Sequence, residues 1–504
     1  MKYGGCGLGC SHGNHDEVRR MDMGVLGSLE PKEVFHYFEE LCGIPHPSYK
    51  EKRISDYCVE FAKERGLEHY QDELGNVIII KEATPGYEAV EPLILQGHLD
   101  MVCEKEPDCD INFDTDGLRL KIEGDFITAE GTTLGGDDGI AVAYVLAILD
   151  SDTLKHPRIE AVFTVSEEVG MEGAKYIDLS PLKGHRLLNI DSEEEGYLLT
   201  SCAGGCCAEV DLPVVTEEKT GTLYEVCVTG LLGGHSGAEI DKGRANSNIL
   251  FGRVLLKLRE TVGYSLADAA GGQKDNAIPR ETKCRVLVAK QDAETFEKLV
   301  ESCSDEIAAE YAVTDPSIRI TAVKLDEDQK VSVLAKESME KVVLLLNAIP
   351  NGIQTMSADI PGLVETSLNL GVLELDGTAL KLRYSVRSSK GTAKGFLVAK
   401  IRFMAQTVGA EFRTEGEYPA WEFKKDSALR ETMMRVFREM YGKEPVIQAI
   451  HAGLECGLLS DKIPDLDAVS IGPDMAGVHT TGEKLSISST QRVWDYLVEL
   501  LRQK

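Results

Sequence analysis

The chain has 504 residues, more than one ordinary hydrophobic core accommodates, so two or three domains are expected. Hydrophobic residues make up 43% and charged residues 27%, the balance of a soluble globular protein rather than a disordered or fibrous one. The formal net charge is −30, which repels nucleic acid and anionic membrane surfaces alike, and no apolar run reaches the ~18 residues of a membrane span, so neither class of partner is expected.

Residues 1–28 are rich in glycine, lack hydrophobic periodicity and read as a disordered leader. Cys6, Cys10, His12 and His15 within it have metal-binding chemistry but no fold around them. The thirteen cysteines are odd in number and scattered, and they include no C-x-x-C pair. With no signal peptide visible, this points to reduced thiols in a cytoplasmic protein. From Leu29 helices and strands alternate. Apolar spacing predicts helices over 31–42 and 50–65, and short apolar runs predict strands over 76–81 and 92–96. A helix over 140–149 follows, then a strand over 159–165 and another over 187–191 that ends in an acid. This alternation implies an α/β domain with a mixed sheet and helices on both faces.

The pattern changes after Gly204-Gly205. Strands over 224–229, 284–289 and 318–323 and helices over 246–261 and 293–312 follow, without acid- or histidine-tipped ends apart from one Gly-His-Ser element. Tipped elements resume around Pro419. The chain therefore reads as one domain formed by residues 29–204 and 418–504, interrupted by an inserted α+β domain over 205–417. The insertion has room for two similar α/β halves.

Five segments place metal-binding side chains at strand ends or in glycine-rich loops: QGHLD around His98 and Asp100, GTTLGGDDG around Asp137, SEEVG with Glu167 and Glu168, NIDSEEE with Asp191, and GPDMAGVHT with His479. Singly, each has an ordinary reading as a turn, a cap or a solvated face. Together they supply two histidines and three carboxylates where α/β proteins put their sites. Such an N/O donor set suits zinc, manganese or cobalt. Five ligands with one shared suit two ions ~3.5–4 Å apart. The Glu167-Glu168 pair allows one acid to bind metal and the other to act as a general base.

HLD, GTTLGGDDG, SEEVGMEGA, NIDSEEEG, GGHSG, NAIPRE and HAGLECG, in this order from Leu29 onward, resemble the M20 metallopeptidases. The resemblance implies that His98 and Asp191 hold one divalent ion and Glu168 and His479 the other, with Asp137 bridging them. Zinc is the expected metal, with cobalt or manganese as alternatives. Asp100 is implied to orient His98, Glu167 to be the base, and the Asp137–Asp138 peptide bond to be cis. The insertion becomes a lid and dimerisation domain, giving a homodimer. His235, in GGHSG, is implied to reach an active site, often the neighbouring subunit's, and to stabilise the oxyanion. Asn276 and Arg387 match positions that grip the carboxylate of a short peptide substrate, and His451 and Gly453 those lining its carboxyl end; Glu455 is read as support for the fold. Gly136 and Asp138 stand where related enzymes often carry Ala and Asn. Asp138 is not expected to bind metal, and its charge bears on metal preference. HAGLECG and NAIPRE favour a dipeptidase over a tripeptidase, a carboxypeptidase or an N-acyl amino acid deacylase. The filled ligand positions disfavour an inactive scaffold protein.

Overall fold

The computed structural model describes residues 24–504. Cys6, Cys10, His12 and His15 lie outside the described residues. Packing begins ahead of Leu29: Leu26 is buried, and the backbone N–H groups of Val25 and Leu26 donate to the Glu39 carboxylate.

Eight strands form a mixed sheet in the order Glu68–Gln71, Val77–Lys81, Ile159–Thr164, Leu93–His98, Arg186–Asn189, Asp467–Ser470, Tyr197–Cys202, Val446–Ile450. The four from Ile159–Thr164 to Asp467–Ser470 run parallel. Ile159–Thr164 and Leu93–His98 are buried at every position, so their apolar residues cluster rather than alternate, and Glu160, Gln96 and His98 are buried with them. Helices Lys32–Cys42, Lys52–Glu64, Gly136–Asp150, Ala428–Tyr441 and Ile487–Leu501 cover one face and build the first core with it. Helices Glu172–Tyr176 and Glu455–Lys462 lie on the other face. The helix Gly136–Asp150 is apolar all round because it is enclosed on all sides.

The inserted domain is a single nine-stranded sheet whose neighbours all pair antiparallel. Its two halves are fused where Ala269–Gly271 pair with Leu373–Leu375. Helices Ser247–Arg259, Ala293–Glu310, Lys336–Ala348 and Gly391–Thr407 pack on one face and form a separate core. On the opposite face the register sets Ser367, Arg387, Gly205 and Tyr418 side by side. They alternate with Leu368, Val386 and Cys206 of the helix-covered core. The strand Arg319–Leu334 runs well past its predicted end, because its outer residues are exposed and show no burial alternation.

The two crossings between the domains touch. Cys202 and Trp421 exchange backbone hydrogen bonds, and the buried Lys394 ammonium donates to the carbonyls of Tyr418 (2.7 Å) and Gly205 (3.4 Å). Among the described residues no helix is long and apolar enough to cross a membrane, and the described cysteines are free.

Candidate active site

Strand ends of the mixed sheet and two loops bring the five expected ligands together. His98 closes the strand Leu93–His98, and its Nε2 lies 3.1 Å from Asp137 Oδ1 and 3.9 Å from Asp191 Oδ1. His479 Nε2 lies 2.8 Å from Glu168 Oε1 and 3.2 Å from Asp137 Oδ2. Two triads result, His98–Asp137–Asp191 and Asp137–Glu168–His479, each with ligand atoms within 4.8 Å of one another. Asp137 belongs to both and turns one oxygen to each histidine. Burial and the neighbouring Asp138 push the Asp191 carboxyl well above the usual carboxylate range. Burial, then the carboxylates of Glu455 and Glu168, push Glu167 up to about 8. Carboxylates packed this closely out of water repel one another until a cation joins them, so the donor set fits divalent metal.

A further layer of buried groups holds the loops. Glu483 accepts the backbone N–H groups of four consecutive residues, Leu134 (2.7 Å), Gly135 (3.2 Å), Gly136 (2.8 Å) and Asp137 (3.3 Å). Gly135 sits at φ +67°, and the Asp137–Asp138 bond is cis. Asp138 belongs to neither triad, and its Oδ2 accepts the backbone N–H of His98 at 3.0 Å. A Cβ on Gly97 would come within 2.6 Å of that oxygen, so the glycine makes room for it. Ser166 holds a left-handed backbone at φ +53°, unusual for a residue with a side chain. Glu51 accepts both its N–H (2.9 Å) and its hydroxyl (2.7 Å).

Asp100 lies beside the His98 ring, as expected, and has further partners. The His98 Nδ1 is nearer the Asp100 carbonyl (3.0 Å) than its carboxylate (3.5 Å). The carboxylate also accepts the N–H groups of Glu167 (2.9 Å) and Glu168 (3.3 Å) and the Ser48 hydroxyl (2.8 Å). Glu455 accepts from Gln96 and Thr164, both at 2.6 Å, beneath the strand ends. Sequence reasoning missed Ser48, Glu51 and Glu483. A lone acid carries no signal in a chain with 84 of them, and only the position of Glu483 four residues after His479 marked it.

A second cluster gathers against the open face of the inserted sheet, with His451 contributed by the segment that returns to the mixed sheet. His235 pairs with Ala277 in a short ladder, and the Ser236 N–H donates to the Asn276 carbonyl at 2.8 Å. The His235 Nδ1 accepts the N–H groups of Gly237 (3.2 Å) and Ala238 (3.0 Å), which leaves the ring proton on Nε2. Burial and the nearby Arg387 lower its pKa, so the ring is a neutral donor. Arg387 is buried, donates from Nη1 to the Tyr418 hydroxyl at 3.0 Å, and has no hydrogen-bond partner for Nε among the described residues. His451 Nε2 lies 2.7 Å from the Ser367 hydroxyl, and burial and Arg387 push that imidazole down to about 4.

A Cβ built on Gly237 would stand 2.6 Å from the His451 carbonyl, 2.9 Å from His235 Cε1 and 3.2 Å from Arg387 Nε. His235, Arg387 and His451 of one chain therefore cluster together, so His235 needs no neighbouring subunit to stand beside Arg387. Asn276 and Arg387 line a cavity of about 380 Å³. Gly453 links the two clusters: a Cβ there would come within 3.2 Å of Met171, which follows the Glu167–Glu168 loop, and 2.8 Å of Tyr418.

Residues 94–503 match the profile of peptidase family M20/M25/M40. The cytosol non-specific dipeptidase of Escherichia coli (strain K12) is 36% identical over 483 residues, 95% of this chain and 99% of that protein. The crystal structure of aminoacylhistidine dipeptidase from Vibrio alginolyticus superimposes with a TM-score of 0.89 at 35% identity, covering 94% of this chain and 97% of that one. A Staphylococcus aureus tripeptidase shares the fold, with a TM-score of 0.54 at 15% identity over 94% of this chain and 98% of its own. With its profile match spanning both halves of the interrupted domain and the insertion between them, the chain belongs to peptidase family M20/M25/M40.

Proposed function

We propose that this chain is a cytoplasmic dipeptidase that hydrolyses the peptide bond of dipeptides, Xaa-His among them, with two divalent ions held by His98, Asp137, Glu168, Asp191 and His479. The observation that carries the reading is the pair of ligand triads sharing Asp137. The dipeptidases of E. coli and V. alginolyticus support it by similarity over nearly the whole chain. Zinc is the proposed metal, with manganese or cobalt as alternatives; bound there, the ions would polarise the scissile carbonyl and acidify a water between them.

The chain's own residues supply the rest. Glu167, buried beside the triads, takes the proton from the attacking water and passes it to the leaving amine. His235 donates its Nε2–H to the oxygen that becomes negative as the carbonyl is attacked. Arg387, a buried guanidinium bonded to a phenol rather than to a carboxylate, receives the substrate's terminal carboxylate, with Asn276 beside it and His451 and Gly453 along the carboxyl end. Asp100 holds the Glu167–Glu168 loop by its backbone. The inserted domain acts as a lid and as the surface of a homodimer, and each chain carries a complete set of residues.

The test is turnover by metal-stripped protein reloaded with zinc, manganese or cobalt, across dipeptides including Xaa-His, tripeptides and N-acyl amino acids. Dipeptides are expected to have the highest kcat/KM. A preference for tripeptides or acylated amino acids would reassign the chain to one of those activities.

A further inference from the structure

Tyr418 lies where the two domains meet, and it is held at three points. Its hydroxyl accepts from Arg387 Nη1 at 3.0 Å, and its carbonyl accepts from the buried Lys394 ammonium at 2.7 Å. Its ring fills space that two glycines leave open. A Cβ on Gly205 would stand 2.5 Å from the Tyr418 hydroxyl oxygen, and a Cβ on Gly453 would stand 2.8 Å from its Cε2. Gly205 belongs to the inserted domain's sheet, whereas Gly453 precedes the helix whose first residue, Glu455, bonds Gln96 and Thr164 under the metal-ligand strands. The ring therefore connects the guanidinium to the catalytic domain. Among the described residues Arg387 has no carboxylate partner to fix its fork, and the phenol is the side chain that it bonds.

We propose that Tyr418 is a positioning residue that fixes Arg387 at a set distance from the metal centre and thereby sharpens selection of a free terminal carboxylate. This rests on the reading of Arg387 as the carboxylate grip. Phenylalanine keeps the ring and its packing and removes only the oxygen that Arg387 uses, so Tyr418→Phe isolates the aiming role.

The experiment compares hydrolysis of alanyl-histidine with that of its C-terminal amide by the metal-loaded enzyme, Tyr418→Phe and Arg387→Met. Metal content and circular dichroism serve as checks on folding. The native enzyme is expected to prefer the free acid. In Tyr418→Phe the acid-to-amide ratio of kcat/KM should fall roughly tenfold, the scale of one hydrogen bond to a charged group, mainly through KM for the acid. Arg387→Met should lower the ratio at least as far, and adding Tyr418→Phe to it should lower it no further. If Arg387→Met lowers the ratio and Tyr418→Phe leaves it unchanged, even with total activity reduced, the positioning role is overturned while the carboxylate grip stands. If Arg387→Met itself leaves the ratio unchanged, the grip is wrong and the inference falls with it.

Discussion

The two walls of the cleft carry opposite electrostatic demands. In the catalytic domain Asp137, Glu168 and Asp191 converge on two histidines, and behind them stand more buried acids, Glu51, Asp100, Asp138, Glu455 and Glu483. Across from them, against the open face of the inserted sheet, the buried Arg387 guanidinium gathers with two neutral imidazoles, that of His235 from the inserted domain and that of His451 from the segment that returns to the mixed sheet. The first wall is incomplete without cations, and the second without an anion. A dipeptide with a free carboxylate, held against metal at its scissile bond, satisfies both. The acids also divide by contact: those facing the cleft are the proposed ligands and base, whereas behind them Glu51, Asp100, Asp138 and Glu483 accept backbone N–H groups and Glu455 accepts from the side chains of Gln96 and Thr164.

Changes on the catalytic wall should strike turnover or metal, and the largest effect is expected at Glu167. Glu167→Gln should lower kcat by about 10²–10⁴-fold while elemental analysis finds the metal retained. Loss of metal together with activity would move Glu167 from base to ligand, a possibility raised by its place in a third cluster with His98 and Glu168. Next in size is Glu483→Gln. An amide keeps one accepting oxygen where the carboxylate used two for four backbone N–H groups. Metal affinity, measured by competition with a chelator, should fall about 10–100-fold, with kcat per bound metal little changed. A fall of less than about threefold would mean the loop stands without its mount.

The smallest effect is on stability in the metal-free protein. The partners Asp137 and Glu168 raise the His479 pKa from 6.5 to about 10. The folded chain thus keeps a proton that the unfolded chain releases, and this contribution, full below about 6.5, is lost as pH rises toward 10. Glu167, held up to about 8 by burial first, adds in the same direction, since ionising it costs more in the folded state. The Tm of the metal-free protein should therefore fall as pH rises from about 6.5 to 10, and by less in the metal-loaded protein, where metal replaces the ring proton. His479 is about half exposed, so the shift should be modest. A Tm that rises with pH over that range would contradict the pairing.

How much of this was legible in the sequence differs between the two walls. The proposed metal ligands stood out because each follows an apolar strand or sits among glycines, and those signals are local. The helices over 31–42 and 50–65 and the buried strands were legible for the same reason: their periodicity or apolar run lies within one short window. The inserted domain's second half was not. Val364–Leu375 and Ala379–Ser388 mix a core-facing row with a polar row that includes Ser367, Asn369 and Arg387, and nothing in the local pattern says that the polar row faces a cleft. Tyr418 was invisible because its meaning comes from Gly205 and Gly453, both distant in the chain. The role of Asp138 was equally hidden, since its partner is a backbone N–H forty residues away. Spacing of two residues makes the Asp100 carboxylate's place beside the His98 imidazole legible, whereas its bonds to the Glu167–Glu168 loop, distant in the chain, leave no local sign.

The most direct test of the shared-ligand account is metal stoichiometry by elemental analysis, after reloading and removal of free metal, for the native chain, Glu168→Ala and Asp137→Ala. The account predicts two divalent ions per native chain, one after loss of Glu168, and none retained after loss of the bridging Asp137. Two ions retained by Asp137→Ala would contradict it.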